Sequence, residues 1–376
     1  MKKTLILGAA FAFAASIATA QNFSLTNIFH GDSNNEGNDF IGWTRKTDNP
    51  ATTDRDESKE FSSDKVSVNN RLQFDFSSEK FDGRIRLAFT GISPDGKNSS
   101  ARLRGFGRFT PIEQIQFAAG NDYFTKYGVT GSYLAAADDY AGYGKAASSG
   151  LVFNTNFSGI RIIANWDGKA EVDDADALGL NFGLDLPIAD VVGLGFTAKN
   201  VTSEDRTFGA FANLLSVENL TLGAGFIYNA NDGSYISSTK YAVQASAGYK
   251  FEDIGLSLAA DVISGLSDEY VKDGESEEYK DDNNDEGIPF HAQVVAGLGV
   301  TDNVSVALDV KFDTFLGQDD STAAVVYPYT EYKLPQNFGS VKAGVRFAFS
   351  NAAEKSGLQK VSIPLSWTWK PVNVKR

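Results

Sequence analysis

The chain contains no cysteine, and its single methionine is Met1. Disulfides are therefore excluded as a source of stability, even in a compartment that would permit them. Thiol nucleophiles and thiolate metal ligands are excluded with them. Histidine is almost as scarce, since His30 and His291 are the only two. No Gly-x-Ser-x-Gly elbow accompanies them, so hydrolytic chemistry has no constellation to work with. No enzymatic activity, cofactor or resident metal is expected. Lys and Arg number 34 against 48 Asp and Glu, a formal net charge of -14. An acidity of this size argues against a nucleic-acid partner. Past the N-terminus, no stretch approaches the roughly 18 consecutive apolar residues of a transmembrane helix.

The N-terminus itself is apolar in a specific way. Lys2 and Lys3 give a positive start, Leu5 to Ile17 an apolar run, and Ala18-Thr19-Ala20 a small-residue cleavage site. This reads as a signal peptide over residues 1–20, leaving one unit over 21–376 that starts at Gln21 and leaves the cytoplasm.

What is present is alternation, and it is clearest from Val66 to Ser149. The first row places Val66, Val68, Leu72, Phe74 and Phe76 on one face and Ser67, Asn69, Arg71, Gln73 and Asp75 on the other, because strand side chains alternate. The next places Ile85, Leu87 and Phe89 opposite Arg84 and Arg86. A third places Leu103 and Phe109 opposite Arg102, Arg104 and Arg108. A soluble sandwich does not usually bury such a cationic face and expose the other. A barrel in a bilayer requires this arrangement, apolar outward and polar into a wet lumen.

Segments of this kind recur along the whole mature chain. Leu178-Leu180-Phe182-Leu184-Leu186, Tyr241-Val243-Ala245-Ala247-Tyr249-Phe251 and Val341-Ala343-Val345-Phe347-Phe349 are clear rows. The count is about eighteen, with sixteen as the alternative, and each has the length of a tilted transmembrane strand. The fold class expected is all-β, a transmembrane antiparallel up-and-down barrel. Connections alternate between short ones, such as Thr110-Pro111, Ser158-Gly159 and Thr301-Asp302-Asn303, and long ones at 31–65, 123–149, 167–176, 229–239, 264–288 and 350–359. Tight turns at one end and long loops at the other are the layout of outer-membrane barrels. Aromatics at row ends, among them Phe76, Phe109, Trp166, Tyr228, Tyr249, Phe251, Trp367 and Trp369, suit interfacial girdles. Pro328 and Pro364 fall inside rows, where a missing donor predicts a bulge or a strand end.

Leader, rows, paired turn lengths and arginine-bearing strands together resemble the Gram-negative porins, as architecture and not through a specific motif. The resemblance implies a water-filled channel in the cell outer membrane, surrounded by outer-membrane lipid and passing small hydrophilic solutes or ions. A homotrimer is among the assemblies it leaves open. It also implies that the long connection Tyr123 to Ser149 folds inward with Asp138 and Asp139 opposite the basic wall of Arg71, Arg84, Arg86, Arg102, Arg104 and Arg108. One feature departs from the usual pattern. Typical porins end on an aromatic residue, whereas here the last row, Val361-Ile363-Leu365-Trp367-Trp369, is followed by a tail ending in Lys375-Arg376. A divergent, spirochaete-like porin fits that ending better than the enterobacterial type.

Other features read as surface. The 264–288 connection is strongly acidic, and Asp281, Asn283 and Asp285 open like a calcium loop. Glu286 stands where the glycine belongs and Ala292 where the bidentate Glu belongs, so a solvated loop is the plainer reading. The alternative function is a surface adhesin or structural barrel that uses these long acidic loops to bind a partner.

Overall fold

The alternation is realised as one closed sheet. In the computed structural model, twenty-one strand segments form a single antiparallel array. The structure describes residues 20–30, 39–45, 59–62, 67–92, 100–121, 150–166, 179–202, 206–214, 217–229, 241–266, 288–317, 322–335, 338–351 and 356–375.

Three of the barrel's staves are each broken into two segments. β1 (Ala20–His30) and β2 (Asp39–Arg45) both run antiparallel to β21 (Gly357–Lys375), along successive halves of it, and so form one stave. β3 (Lys59–Ser62) pairs with β2, and β4 (Ser67–Ser77) pairs with β1, giving the second. β19 (Ser340–Gly344) and β20 (Arg346–Ser350) both lie between β18 (Ala323–Lys333) and β21. Counted as staves, the barrel has 18 up-and-down strands. The hydrogen bonds of β1 to both β4 and β21 close it, which leaves no full edge exposed. The fold is a closed, antiparallel up-and-down β-barrel.

The intervening staves follow chain order, each bonded to the next. They are β5 (Phe81–Ile92), β6 (Ser100–Ile112), β7 (Ile115–Gly120), β8 (Gly150–Phe157) and β9 (Ile160–Trp166). Next come β10 (Leu180–Ile188), β11 (Val192–Lys199), β12 (Thr207–Leu214), β13 (Leu220–Asn229) and β14 (Tyr241–Phe251). β15 (Leu256–Gly265), β16 (Ile288–Gly299) and β17 (Val304–Leu316) complete the wall. Tight connections lie at one end, as at Ser158-Gly159 and Thr301-Asp302-Asn303. At a third, a 3-10 turn over Glu252–Ile254 hands over to β15 through Gly255, whose φ of 66° suits a residue without Cβ.

Two sequence expectations are corrected. The stretch 31–65 is not a plain loop, because β2 and β3 lie within it. Those segments are 7 and 4 residues long, too short to stand out by alternation from the polar stretches around them. The final row does not stop at Trp369, since β21 runs on to Lys375. Its pairing slips there: Asn27 faces Trp369, yet Leu25 faces Val372. The extra residue shifts Val372 and Val374 out of phase with Trp367 and Trp369, which hid the continuation.

The prolines act as expected. Val345 donates its N–H to the carbonyl of Pro328 (3.1 Å), but Pro328 has no N–H to return. The ladder therefore breaks at Val345, between β19 and β20. Pro364 stands opposite Asp39, where the β2 register also shifts.

Outward residues form an apolar band among the described residues. Leu103 is 56% exposed, Phe117 48% and Val294 49%, and the inward neighbours of Phe117 and Val294 are more covered. Girdle aromatics pair at the tight-turn end, with Tyr249 against Phe251 at 4.6 Å and Trp367 against Trp369 at 5.6 Å between centroids. The Trp367 indole N–H donates to the Phe338 carbonyl at 2.9 Å. At the other end, Phe208, Tyr228 and Tyr241 stack in a row.

Candidate functional site: the inner wall

The arginine face lies on three adjacent staves, and its register fixes which side chains meet. Asp75 faces Arg84, Gln73 faces Arg86, and Asp82 faces Arg108. Arg84 Nε donates to Asp75 Oδ1 at 2.7 Å, and Arg108 reaches Asp82 Oδ1 at 2.7 Å. Arg86 donates to Gln73 Oε1 at 3.2 and 3.3 Å, while Gln73 Nε2 donates to Asp75 Oδ2 at 2.7 Å. The Phe106 ring sits between two guanidinium groups, 5.1 Å from Arg108 Cζ and 5.9 Å from Arg84 Cζ, at cation–π distance.

Compensation of charge fades along the wall. The two arginines toward the tight-turn end, Arg84 and Arg108, have carboxylates. Among the described residues, Arg71, Arg102 and Arg104 have none. Arg86 and Arg104 even stand directly opposite each other on β5 and β6. Like charges at that spacing oppose folding by a few tenths of a kcal/mol to about 1 kcal/mol. A stabilising wall would not choose that pairing. Asp138 and Asp139 lie outside the described residues.

The sequence reading missed a second charged patch on β16–β20. Lys342 Nζ sits 3.7 Å from the centre of the Tyr329 ring and 5.3 Å from that of Tyr327, and Arg346 Cζ is 5.6 Å from Tyr327. Asp309, opposite Tyr327, accepts a 2.8 Å bond from Gln293 Nε2. Glu331 faces Lys342 across the β18–β19 ladder. Buried His291 approaches Asp313 Oδ1 with Nδ1 at 2.5 Å. The signal was available, as Asp309-Lys311-Asp313 share one face of β17, but the cations belong to two strand pieces parted by the break at Val345.

The inner face is not polar throughout. Val152, Ile163, Phe211, Ile227 and Ile263 point inward and are buried. Phe106 packs on a cluster of Ala118, Val152 and Ile163. The Phe211 ring covers Gly209 on its own strand and Gly225 on β13, so a Cβ at either would come within 2.5 or 2.6 Å of it. Apolar groups persist on the inner wall because each is covered there. Two polar inner groups nearby satisfy each other, with Asn181 Nδ2 donating to Asn165 Oδ1 at 3.0 Å.

No protein-family model and no curated protein sequence matches the chain. Solved structures do match. Pseudomonas aeruginosa OccK5 aligns over 93% of this chain and 98% of its own, with a TM-score of 0.56 at 9% identity. Pseudomonas aeruginosa OprD aligns over 93% and 96%, with a TM-score of 0.52 at 11% identity. A Rhodopseudomonas blastica porin triple mutant covers 92% of the chain at 13% identity, with a TM-score of 0.45.

Proposed function

We propose that the protein is an outer-membrane channel for passive diffusion of small hydrophilic solutes and ions, with Arg71, Arg84, Arg86, Arg102, Arg104 and Arg108 lining the conducting path. The observation that carries this reading is the uncompensated part of the arginine face. Among the described residues, the inward Arg71, Arg102 and Arg104 have no carboxylate partner, on the inside of a closed barrel of 18 staves. Barrels of this size leave an aqueous lumen. Charge kept against the preference of folding needs a use, and a charged lining that sorts permeating solutes by sign supplies one. Asp138 and Asp139 would temper the positive wall from the 123–149 connection. OccK5 and OprD support the barrel and say nothing of the solute. Outer-membrane residence follows from the reading of residues 1–20 as a leader and from the exposed apolar band.

Planar-bilayer recording is the direct test. Purified protein should give discrete, ohmic single-channel steps, whereas a silent bilayer with folded protein inserted would end the channel reading. Topology offers a separate check, made simple by the lack of native cysteine. An impermeant maleimide should label Glu277→Cys, in the acidic connection outside the described residues, on intact cells. Asp302→Cys, in a tight turn, should be labelled only after the outer membrane is opened. The reverse pattern would place the long connections on the inner side.

A further inference from the structure

Five neighbouring staves are interrupted, and the interruptions fall on one line across the wall. Pro328 lies midway along β18 and returns no donor to Val345. The register that pairs Ala343 with Leu365 and Arg346 with Ser362 sets Gly344 opposite Pro364. Consecutive strand residues turn their backbone groups to opposite neighbours. The Gly344 carbonyl therefore loses its ladder donor on the β21 side, as the Val345 carbonyl does on the β18 side. The line continues through the next two staves. β1 ends opposite Ser366 and β2 begins opposite Pro364. β3 ends with Ser62 facing Gly42, and β4 begins with Ser67 facing His30. By contrast, β5 to β17 are each one continuous strand. Lipid offers backbone groups no replacement partner, so a bilayer-spanning wall has reason to avoid such a line.

On the side of the long connections, the line bounds a panel made of β3, β2, β20 and the starts of β21 and β18. Among the described residues β3 pairs only with β2, so the panel has a free edge. That edge stands above β4, beside the arginine face. The lumen side of the line carries contacts that cross it where the ladder does not. Tyr327 lies on the panel side of Pro328 and Tyr329 on the other, with ring centroids 4.9 Å apart. Lys342, below the line on β19, sits 3.7 Å from the Tyr329 ring centre and 5.3 Å from that of Tyr327. Arg346, above it on β20, lies 5.6 Å from the same Tyr327 ring. A Cβ at Gly344 would come within 2.8 Å of that ring, so Tyr327 folds closely over the break.

We propose that this panel is a hinged flap that swings as a unit about the Pro328–Pro364 line, with Tyr327 and Lys342 as its latch. Missing ladder bonds make the line the compliant part of the wall, and the free edge at β3 gives the panel room to move. Its swing changes the width of the approach to Arg71 and its neighbours. The hinge depends on the barrel and not on conduction, so a silent bilayer leaves it standing.

Amide hydrogen exchange on the full mature chain in lipid vesicles reads the panel directly. Residues 323–327, 346–350 and 357–363 should share one protection factor, about tenfold below that of the loop-side halves of β14–β16 at 241–246, 261–265 and 288–293. Pro328→Ala returns a donor to the Val345 carbonyl and should raise protection in the panel by roughly threefold or more, with β14–β16 unchanged. Lys342→Gln removes the cation of the latch and should lower it. Equal protection of the panel and of β14–β16 in the unaltered chain would overturn the proposal, and that comparison needs no variant to fold. A smooth gradient inward from the strand ends, the pattern of ordinary fraying, would do the same. So would a Pro328→Ala protein whose panel exchanges like the parent's.

Discussion

Replacing Arg102 and Arg104 together with Gln should move the reversal potential in a salt gradient toward cation preference. Both face inward on β6 and neither has a carboxylate among the described residues. Adjacent staves lie about 4.8 Å apart, inside the Debye length of about 8 Å at physiological salt, so the arginine fields add. A perfectly selective pore reads about 59 mV across a tenfold gradient of a monovalent salt. A shift of roughly 10 mV or more is expected at low salt, shrinking toward 1 M, where the Debye length falls to about 3 Å. The informative control is the pair Arg84→Gln with Asp75→Asn. It removes two opposite charges held 2.7 Å apart, leaves the wall's net charge unchanged, and should leave the potential where it was. Conduction with unchanged selectivity in the Arg102/Arg104 variant would remove these residues from the path. An equal shift in the neutral pair would show that local geometry, not charge, sets the selectivity.

The arginine face was legible because β4–β6 are long and keep strict phase, at 11, 12 and 13 residues. Which arginines are compensated was not legible. Asp82 and Arg108 are 26 residues apart in sequence, and only the register between β5 and β6 brings them together. The count of staves survived two local errors for a similar reason. β2 and β3 were missed, but they extend staves already counted through β1 and β4. Inner apolar residues were harder still. In Ile160-Arg161-Ile162-Ile163 the period of two is lost, because Ile162 faces out at 47% exposed while Ile163 faces in at 1%. A two-sided apolar strand gives no sign of which side is wet. The Tyr327–Tyr329–Lys342–Arg346 cluster depends on a ladder broken by Pro328, and that break could be placed only by locating the partner strand.

A sharper test of the inside–outside assignment uses two adjacent residues and one substitution. Val294 lies near the middle of β16, faces outward and is 49% exposed in the apolar band. Val295 points the other way, on the same rung as Asp309 of β17. Val294→Arg places a cation against lipid near the midplane, which costs about 2–4 kcal/mol in transmembrane barrels. Val295→Arg places the same cation on the inner face beside a carboxylate and within reach of water, where the cost should stay near 1 kcal/mol. Reversible urea unfolding in lipid vesicles, followed by the fluorescence of the chain's 4 Trp, measures both. The outward variant should be less stable than the inward one by roughly 2 kcal/mol or more. Equal losses would mean that both sides of β16 are dry, so that no aqueous path runs along this wall. A larger loss for Val295→Arg would put lipid on the side now assigned to the lumen, and the arginines of β4–β6 would need another explanation.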